Sequence, residues 1–129
     1  ALSLITENIQ EPFIVANADI LVHIDVGELL QYHVQQSSDA TMCVKLFSYE
    51  VPYACVEFGS DGTLESMKEK PTHNYHVNAG MYVLSPSVLQ IVPKDEYFDM
   101  PSLFAELVKQ NKTVKVFELS DYWLDIGRP

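Results

Sequence analysis

Short apolar runs alternate with polar turns along the whole chain, and their lengths and periods predict a mixture of strands and helices. Phe13-Ile14-Val15-Ala16 is a continuous apolar run, with Glu11-Pro12 before it and Asn17-Ala18-Asp19 after it. A run without polar alternation predicts a strand buried on both faces of a parallel sheet. Asp25 can cap a helix, and Glu28 three residues later makes the pair a capping box. Val26, Leu29, Leu30, His33 and Val34 then share one face, until Ser37-Ser38-Asp39 ends the helix. Residues 40–47 are a second apolar strand. Residues 53–58 and 63–67 flank Gly59-Ser60-Asp61-Gly62, which is a hairpin pattern. Residues 77–84 form another strand, closed by Ser85-Pro86, with a short helix at 87–91. Asp99-Met100-Pro101-Ser102 opens a second long helix with proline in its first turn. Leu103, Phe104, Leu107 and Val108 are its buried stripe, and Asn111 closes it in a left-handed conformation. Residues 114–119 and 122–126 are extended.

This order predicts an α/β fold with a partly antiparallel sheet. Ala1-Leu2-Ser3-Leu4-Ile5 reads as the interior of a helix without a capping residue before it, and Pro129 follows directly on Gly127-Arg128. Both ends read as cut. Residues 1–129 are therefore expected to form a single partial domain of a longer chain.

Composition narrows the function. The chain has 129 residues, 47% of them apolar and 20% charged, which suits one globular domain with a real core. Its net charge of −10 argues against nucleic acid or an anionic membrane as partner, because phosphate backbones are bound by clustered Lys and Arg. Small anionic ligands remain open if a divalent cation bridges them to carboxylates. No stretch approaches the roughly 20 apolar residues of a membrane helix, and no basic region precedes the apolar start as in a signal peptide. Cys43 and Cys55 sit in strand-like runs without zinc or redox spacing, which predicts free thiols in a cytoplasmic protein.

Few residues offer chemistry. Asp19 follows a buried strand, where open α/β sheets place ligands, although an Asp there also serves as a turn residue. Asp125 stands between Leu124 and Ile126, beside Tyr122-Trp123. An acid in apolar surroundings needs a partner, and a metal ion is one. Glu69-Lys70-Pro71 ends a hairpin strand, and Pro71 biases Lys70 toward an extended shape. Lys70 is a point charge suited to a phosphate and Glu69 an acceptor suited to hydroxyls; a solvated charge pair is the alternative. Asn78-Ala79-Gly80 opens a strand, either as a ligand contact or as a bulge. His23, His33, His73 and His76 lack metal-ligand spacing, and His33 reads as a helix-face residue. Neither a Ser/His/Asp or Cys/His nucleophile set nor a Gly-rich phosphate loop is present.

Taken in order, Phe13 to Asp19, Val56-Glu57-Phe58 with Asp61-Gly62, Glu69-Lys70-Pro71, Asn78-Ala79-Gly80-Met81-Tyr82 and Trp123-Leu124-Asp125-Ile126-Gly127-Arg128-Pro129 resemble the sugar-1-phosphate nucleotidyltransferases. The mannose-1-phosphate guanylyltransferase and glucose-1-phosphate thymidylyltransferase group is the most similar. The resemblance implies a Rossmann-like α/β domain with a mixed, mostly parallel sheet, truncated at its N-terminal side. It implies a reaction of NTP with sugar 1-phosphate, giving NDP-sugar and pyrophosphate, with Mg2+ held by Asp19 and Asp125. Glu69 would bind sugar hydroxyls, Lys70 the sugar phosphate, and Asn78 and Gly80 would line the sugar pocket. A homo-oligomer is expected. Ala18 stands where the family usually has glycine. Ala54, in Tyr53-Ala54-Cys55-Val56, replaces a glycine that commonly lies against the sugar. The family's Gly-rich nucleotide loop belongs upstream of Ala1, so these residues alone are expected to be inactive. A non-catalytic regulatory or NDP-sugar-binding module of the same fold is the alternative. Retention of Asp19, Lys70 and Asp125 together speaks against it.

Overall fold

The structure, a computed structural model, describes residues 9–18, 20–22, 24–93, 99–119 and 123–125, with the segments at 20–22 and 123–125 described through their backbone pairing. The elements are β1 (Phe13–Ala16), β2 (Ile20–Val22), α1 (Val26–Gln35), β3 (Ala40–Glu50), β4 (Cys55–Phe58), β5 (Leu64–Lys68), β6 (Thr72–Leu84), a 3-10 turn (Pro86–Gln90), α2 (Met100–Lys109), β7 (Val114–Glu118) and β8 (Trp123–Asp125). The helix read at residues 1–5 and the Gly127-Arg128-Pro129 end lie outside the described residues.

Both helices begin and end where local hydrogen bonding requires. The Asp25 carboxylate accepts from Glu28 N at 3.1 Å, and the Asp99 carboxylate accepts from Ser102 N at 2.8 Å. Each acid satisfies a backbone donor that the first helical turn leaves unpaired. Each helix stops at a left-handed residue, Ser37 (φ 52°) and Asn111 (φ 60°). Ser38 N then donates back to His33 O, and Lys112 N to Leu107 O, closing the last turn.

The main sheet has the order β1-β6-β3-β7. It is mixed: β3 and β7 are parallel, with Ala40 opposite Val114, while β1 and β6 are antiparallel, with Phe13 opposite Leu84. The first strand was expected to be parallel and buried on both faces. It is instead antiparallel to β6, and Phe13, Ile14 and Val15 are half-buried. Among the described residues it stands at the end of the strand order with β6 as its neighbour, which leaves it less covered than a central strand.

Period-two alternation divides the core between the two faces of this sheet. Tyr82, Leu84 and Ala40 join Leu103, Phe104 and Leu107 of α2 on one face. Ala79, Met81, Val83 and Cys43 join Leu29 of α1 on the other. Strand β6 is thus covered on both sides, and the helices form the outer layers of an α/β/α arrangement. The helical stripes are narrower than their periodicity predicts. Val34 and Val108 are each 62% exposed and Val26 44%, because a helix flanking a flat sheet buries only the residues nearest it.

His33 is not a simple face residue. It is 1% exposed, with Nδ1 at 2.8 Å from Thr41 Oγ1 and Nε2 at 2.8 Å from Ser85 Oγ. The Ser85 hydroxyl gives its one proton to Ser38 O at 2.9 Å, so it accepts from His33 Nε2, and Nδ1 accepts from Thr41. The neutral imidazole therefore bolts α1 to β3 and to the end of β6. Burial holds its pKa below the ordinary 6.5, against the opposing pull of Asp39. Burial also pushes the Cys43 thiol up to about 12, leaving it an inert apolar side chain.

The chain divides into two compact units, residues 1–45 with 78–129, and residues 46–77. In the second, β4 and β5 form the expected hairpin, with Cys55 opposite Lys68. Gly62 takes φ 86° in its turn, and Asp61 Oδ1 accepts from Thr63 N at 3.0 Å. Val51 N to Pro71 O and Ser48 Oγ to Asn74 Oδ1 hold the rest of this unit.

Two stability predictions follow from this packing. Leu107→Ala is expected to cost about 2–5 kcal/mol in urea unfolding, and Val108→Ala, one position on, less than about 0.5 kcal/mol. Equal effects would contradict the assigned helix face. For His33, the unfolded chain carries more protons than the folded one between the lowered pKa and 6.5. Stability is therefore lost as pH falls below 6.5, and His33→Gln should flatten that part of the profile.

Candidate functional site

The loop after β1 is fixed by β6. Ala16 lies opposite Met81, and one residue on, Asn17 N donates to Gly80 O at 2.8 Å. Gly80 has φ 81°, a conformation that glycine alone adopts without a steric cost. Asn78 Oδ1 accepts from Gly80 N at 2.8 Å, and Asn78 Nδ2 donates to the Tyr82 hydroxyl at 2.9 Å. Asn17 and Gly80, from two motifs far apart in sequence, thereby meet. The second motif, Asn78-Ala79-Gly80, does not open a strand, as expected, but lies inside the 13-residue β6. Residues 72–77 stay extended because Thr72, Tyr75 and Val77 favour it, and Gly80 interrupts the strand from within.

Of the two acids expected to hold a metal, Asp125 falls at a second crossing. Strands β2 and β8 are antiparallel, with Ile20 opposite Asp125, Leu21 opposite Leu124 and Val22 opposite Trp123. The backbone of Asp125 therefore lies opposite the residue that follows Asp19 in the chain. Asp19 itself lies outside the described residues, as does His23. Among the described residues, no group of three or more His, Cys, Asp and Glu side chains could hold a metal ion.

Ala54, Glu69 and Lys70 belong to the second unit and are exposed. Lys70 corrects an expectation. It is not extended but left-handed, with φ 43°. Only Glu69, Lys70 and Pro71 separate β5 from β6, so the chain has to bend there. The proline that follows disfavours the right-handed helical region for Lys70. A left-handed lysine costs about 1–2 kcal/mol, and Val51 N bonded to Pro71 O at 3.0 Å helps to hold it.

The hairpin also forms a cavity of about 190 Å³, lined by Cys55, Glu57, Ser66, Lys68, Pro71, Thr72 and His73. Glu57 and Pro71 belong to the ordered motifs, Cys55 and His73 were named without a site role, and Ser66, Lys68 and Thr72 were not singled out from sequence. The signal was present in the alternation: register puts Cys55, Glu57, Ser66 and Lys68 on one face, and Val56 and Met67 on the other. A cavity of about 660 Å³ beside α2 involves Asp39, Glu106 and Lys112 and none of the expected site residues. No helix among the described residues is long and apolar enough to cross a membrane.

Comparison with known proteins bears on the family and the fold. The family model described as nucleotidyl transferase matches residues 1–129. Mannose-1-phosphate guanylyltransferase catalytic subunit beta of Danio rerio is 30% identical over 132 residues, 100% of this chain and 36% of that protein. The Drosophila melanogaster protein of the same name is 28% identical over 121 residues, 92% of this chain and 32% of that protein. The chain thus spans about a third of the length of these relatives. The crystal structure of HddC from Yersinia pseudotuberculosis superposes with a TM-score of 0.61 at 24% identity, covering 99% of this chain and 54% of that one. Its complex with GMP-PN gives 0.60 at 23% identity, covering 92% of this chain and 51% of that one. The mixed α/β sheet and the full-length family match lead to one conclusion: this chain belongs to the nucleotidyl transferase family.

Proposed function

We propose that the protein carrying this chain joins a nucleoside triphosphate to a sugar 1-phosphate, and that these residues supply the sugar- and metal-holding part of its site. The observation that carries this reading is the β2–β8 register, which sets Asp125 opposite the residue after Asp19. Mg2+ is commonly held by one or two carboxylates, with water and phosphate oxygens completing its shell, so an Asp19/Asp125 pair fits it by donor chemistry. Held by Asp19 and Asp125, the ion would supply positive charge to offset that of the phosphates.

In this reading the sugar phosphate oxygen attacks the α-phosphorus in line, and the bond from that phosphorus to the bridging oxygen breaks to release pyrophosphate. The chain's own residues position the reactants and form no covalent intermediate. Lys70 holds the sugar phosphate, Glu69 accepts from sugar hydroxyls, and Asn78, Gly80 and Ala54 line the sugar pocket. The left-handed Lys70 supports its assignment, because strained backbone tends to be retained at functional sites. Mannose 1-phosphate with GTP is the first pair to test, because the relatives from Drosophila melanogaster and Danio rerio are mannose-1-phosphate guanylyltransferases by name. The cytoplasm is the proposed compartment, in keeping with the free thiols of Cys43 and Cys55.

Pyrophosphate release by the full-length protein tests the reading. Activity is expected with mannose 1-phosphate and GTP or with glucose 1-phosphate and dTTP, lost in chelator and restored by Mg2+. Asp125→Asn should lower kcat by on the order of a hundredfold or more. Undiminished turnover in chelator, or by this variant, would overturn the metal assignment. Residues 1–129 expressed alone are proposed to be inactive, and turnover by them would refute that. Lys70→Gly separates strain from function. Its melting temperature should hold or rise, while KM for the sugar 1-phosphate rises about ten- to a hundredfold through loss of a charged hydrogen bond.

A further inference from the structure

Residue Tyr82 is nearly buried, 2% exposed, and its ring packs against Phe104 at 5.4 Å between centroids, anchored in the core on the α2 face. Its hydroxyl nevertheless bonds outward, to the amide of the exposed Asn78 at 2.9 Å. In a regular strand, residues four apart are separated by about 13 Å between Cα atoms. The left-handed Gly80 between them interrupts that regularity, and Asn78 Oδ1 holds the break by accepting from Gly80 N, two residues on.

The amide has a single workable orientation. Flipping it would place the NH2 group against the Gly80 N–H, donor against donor, and would forfeit that bond, while the Tyr82 hydroxyl could only trade the role of acceptor for that of donor. One amide N–H and one carbonyl lone pair lie beyond these two bonds. Gly80 O in turn accepts from Asn17 N at 2.8 Å. An unbroken chain of hydrogen bonds thus runs from the core-anchored Tyr82 through Asn78 and Gly80 to the residue two positions before Asp19.

We propose that Tyr82 is a positioning residue for the sugar pocket: its hydroxyl pins the Asn78 amide so that the amide's second donor and acceptor meet the sugar hydroxyls already aligned. This rests on the reading of Asn78 and Gly80 given above. A side chain that arrives pre-oriented loses less rotamer freedom on binding, so the effect belongs to sugar affinity rather than to nucleotide affinity.

The test is Tyr82→Phe in the full-length protein, which keeps the ring and removes the hydroxyl. The expected result is a five- to tenfold rise in KM for the sugar 1-phosphate, with KM for the nucleoside triphosphate within twofold. The melting temperature should fall by only a few degrees. In an Asn78→Ala background the same substitution should raise KM no further, because the group it positions is gone. A drop in melting temperature with both KM values unchanged, an equal rise in both, or additive effects with Asn78→Ala would each overturn the proposal. If no substrate pair turns over in the unmutated protein, the reading of the site fails separately. The Asn78 side-chain amide then decides the pinning by NMR: slow hydrogen exchange that Tyr82→Phe leaves unchanged would overturn it, and exchange that this variant accelerates would uphold it.

Discussion

Strand β6 is the constraint on which the larger unit depends. Its apolar half is flanked by β1 on one edge and β3 on the other, and covered by α2 on one face and α1 on the other. A strand enclosed in this way cannot shift register by one residue without exchanging Tyr82 and Leu84 for Met81 and Val83 between two different packing environments. That rigidity passes outward through backbone hydrogen bonds. Asn17 is bonded to Gly80, so the loop leading to Asp19 starts from a fixed point.

Buried polar groups add specificity to this apolar frame. His33, Thr41 and Ser85 satisfy one another between α1, β3 and the end of β6. A helix held only by Leu29 and Leu30 could slide along the sheet, whereas a buried imidazole whose two nitrogens both have partners permits one placement. Asp39 performs a similar task at the surface, where its carboxylate accepts from Thr113 N at 2.8 Å and fixes the entry to β7. Apolar burial supplies the bulk of the stabilisation, and these bonds select the arrangement.

The two units hold their proposed ligand-binding residues in different ways. Asn78 and Gly80 sit on β6, whose position is set by the core. Lys70 sits on a short bend that holds it left-handed against its own preference. Rigid elements suit groups that must meet a small ligand with fixed donors and acceptors. The exposed Lys70 owes this conformation to the three-residue bend and to the proline after it, and its role toward a sugar phosphate is the proposal made above.

By itself, the sequence determined the local features: the Asp25 and Asp99 caps, the left-handed Asn111, and the hairpin turn at Asp61-Gly62. Each is decided by bonds between residues a few positions apart, so short-range chemistry suffices. It also carried the ordered motifs that identify the family. The tertiary structure decided which strand lies beside which. It made β1 antiparallel to β6, set Asp125 opposite Ile20 from the far end of the chain, and put Asn78 and Gly80 inside a strand rather than at its start. It also turned Val34 and Val108 to solvent and drew His33 into a buried network. Periodicity marks a face as apolar but does not say how much of that face a partner covers. Pairing between distant segments depends on the enthalpy and entropy of closing the whole fold, which no local pattern encodes.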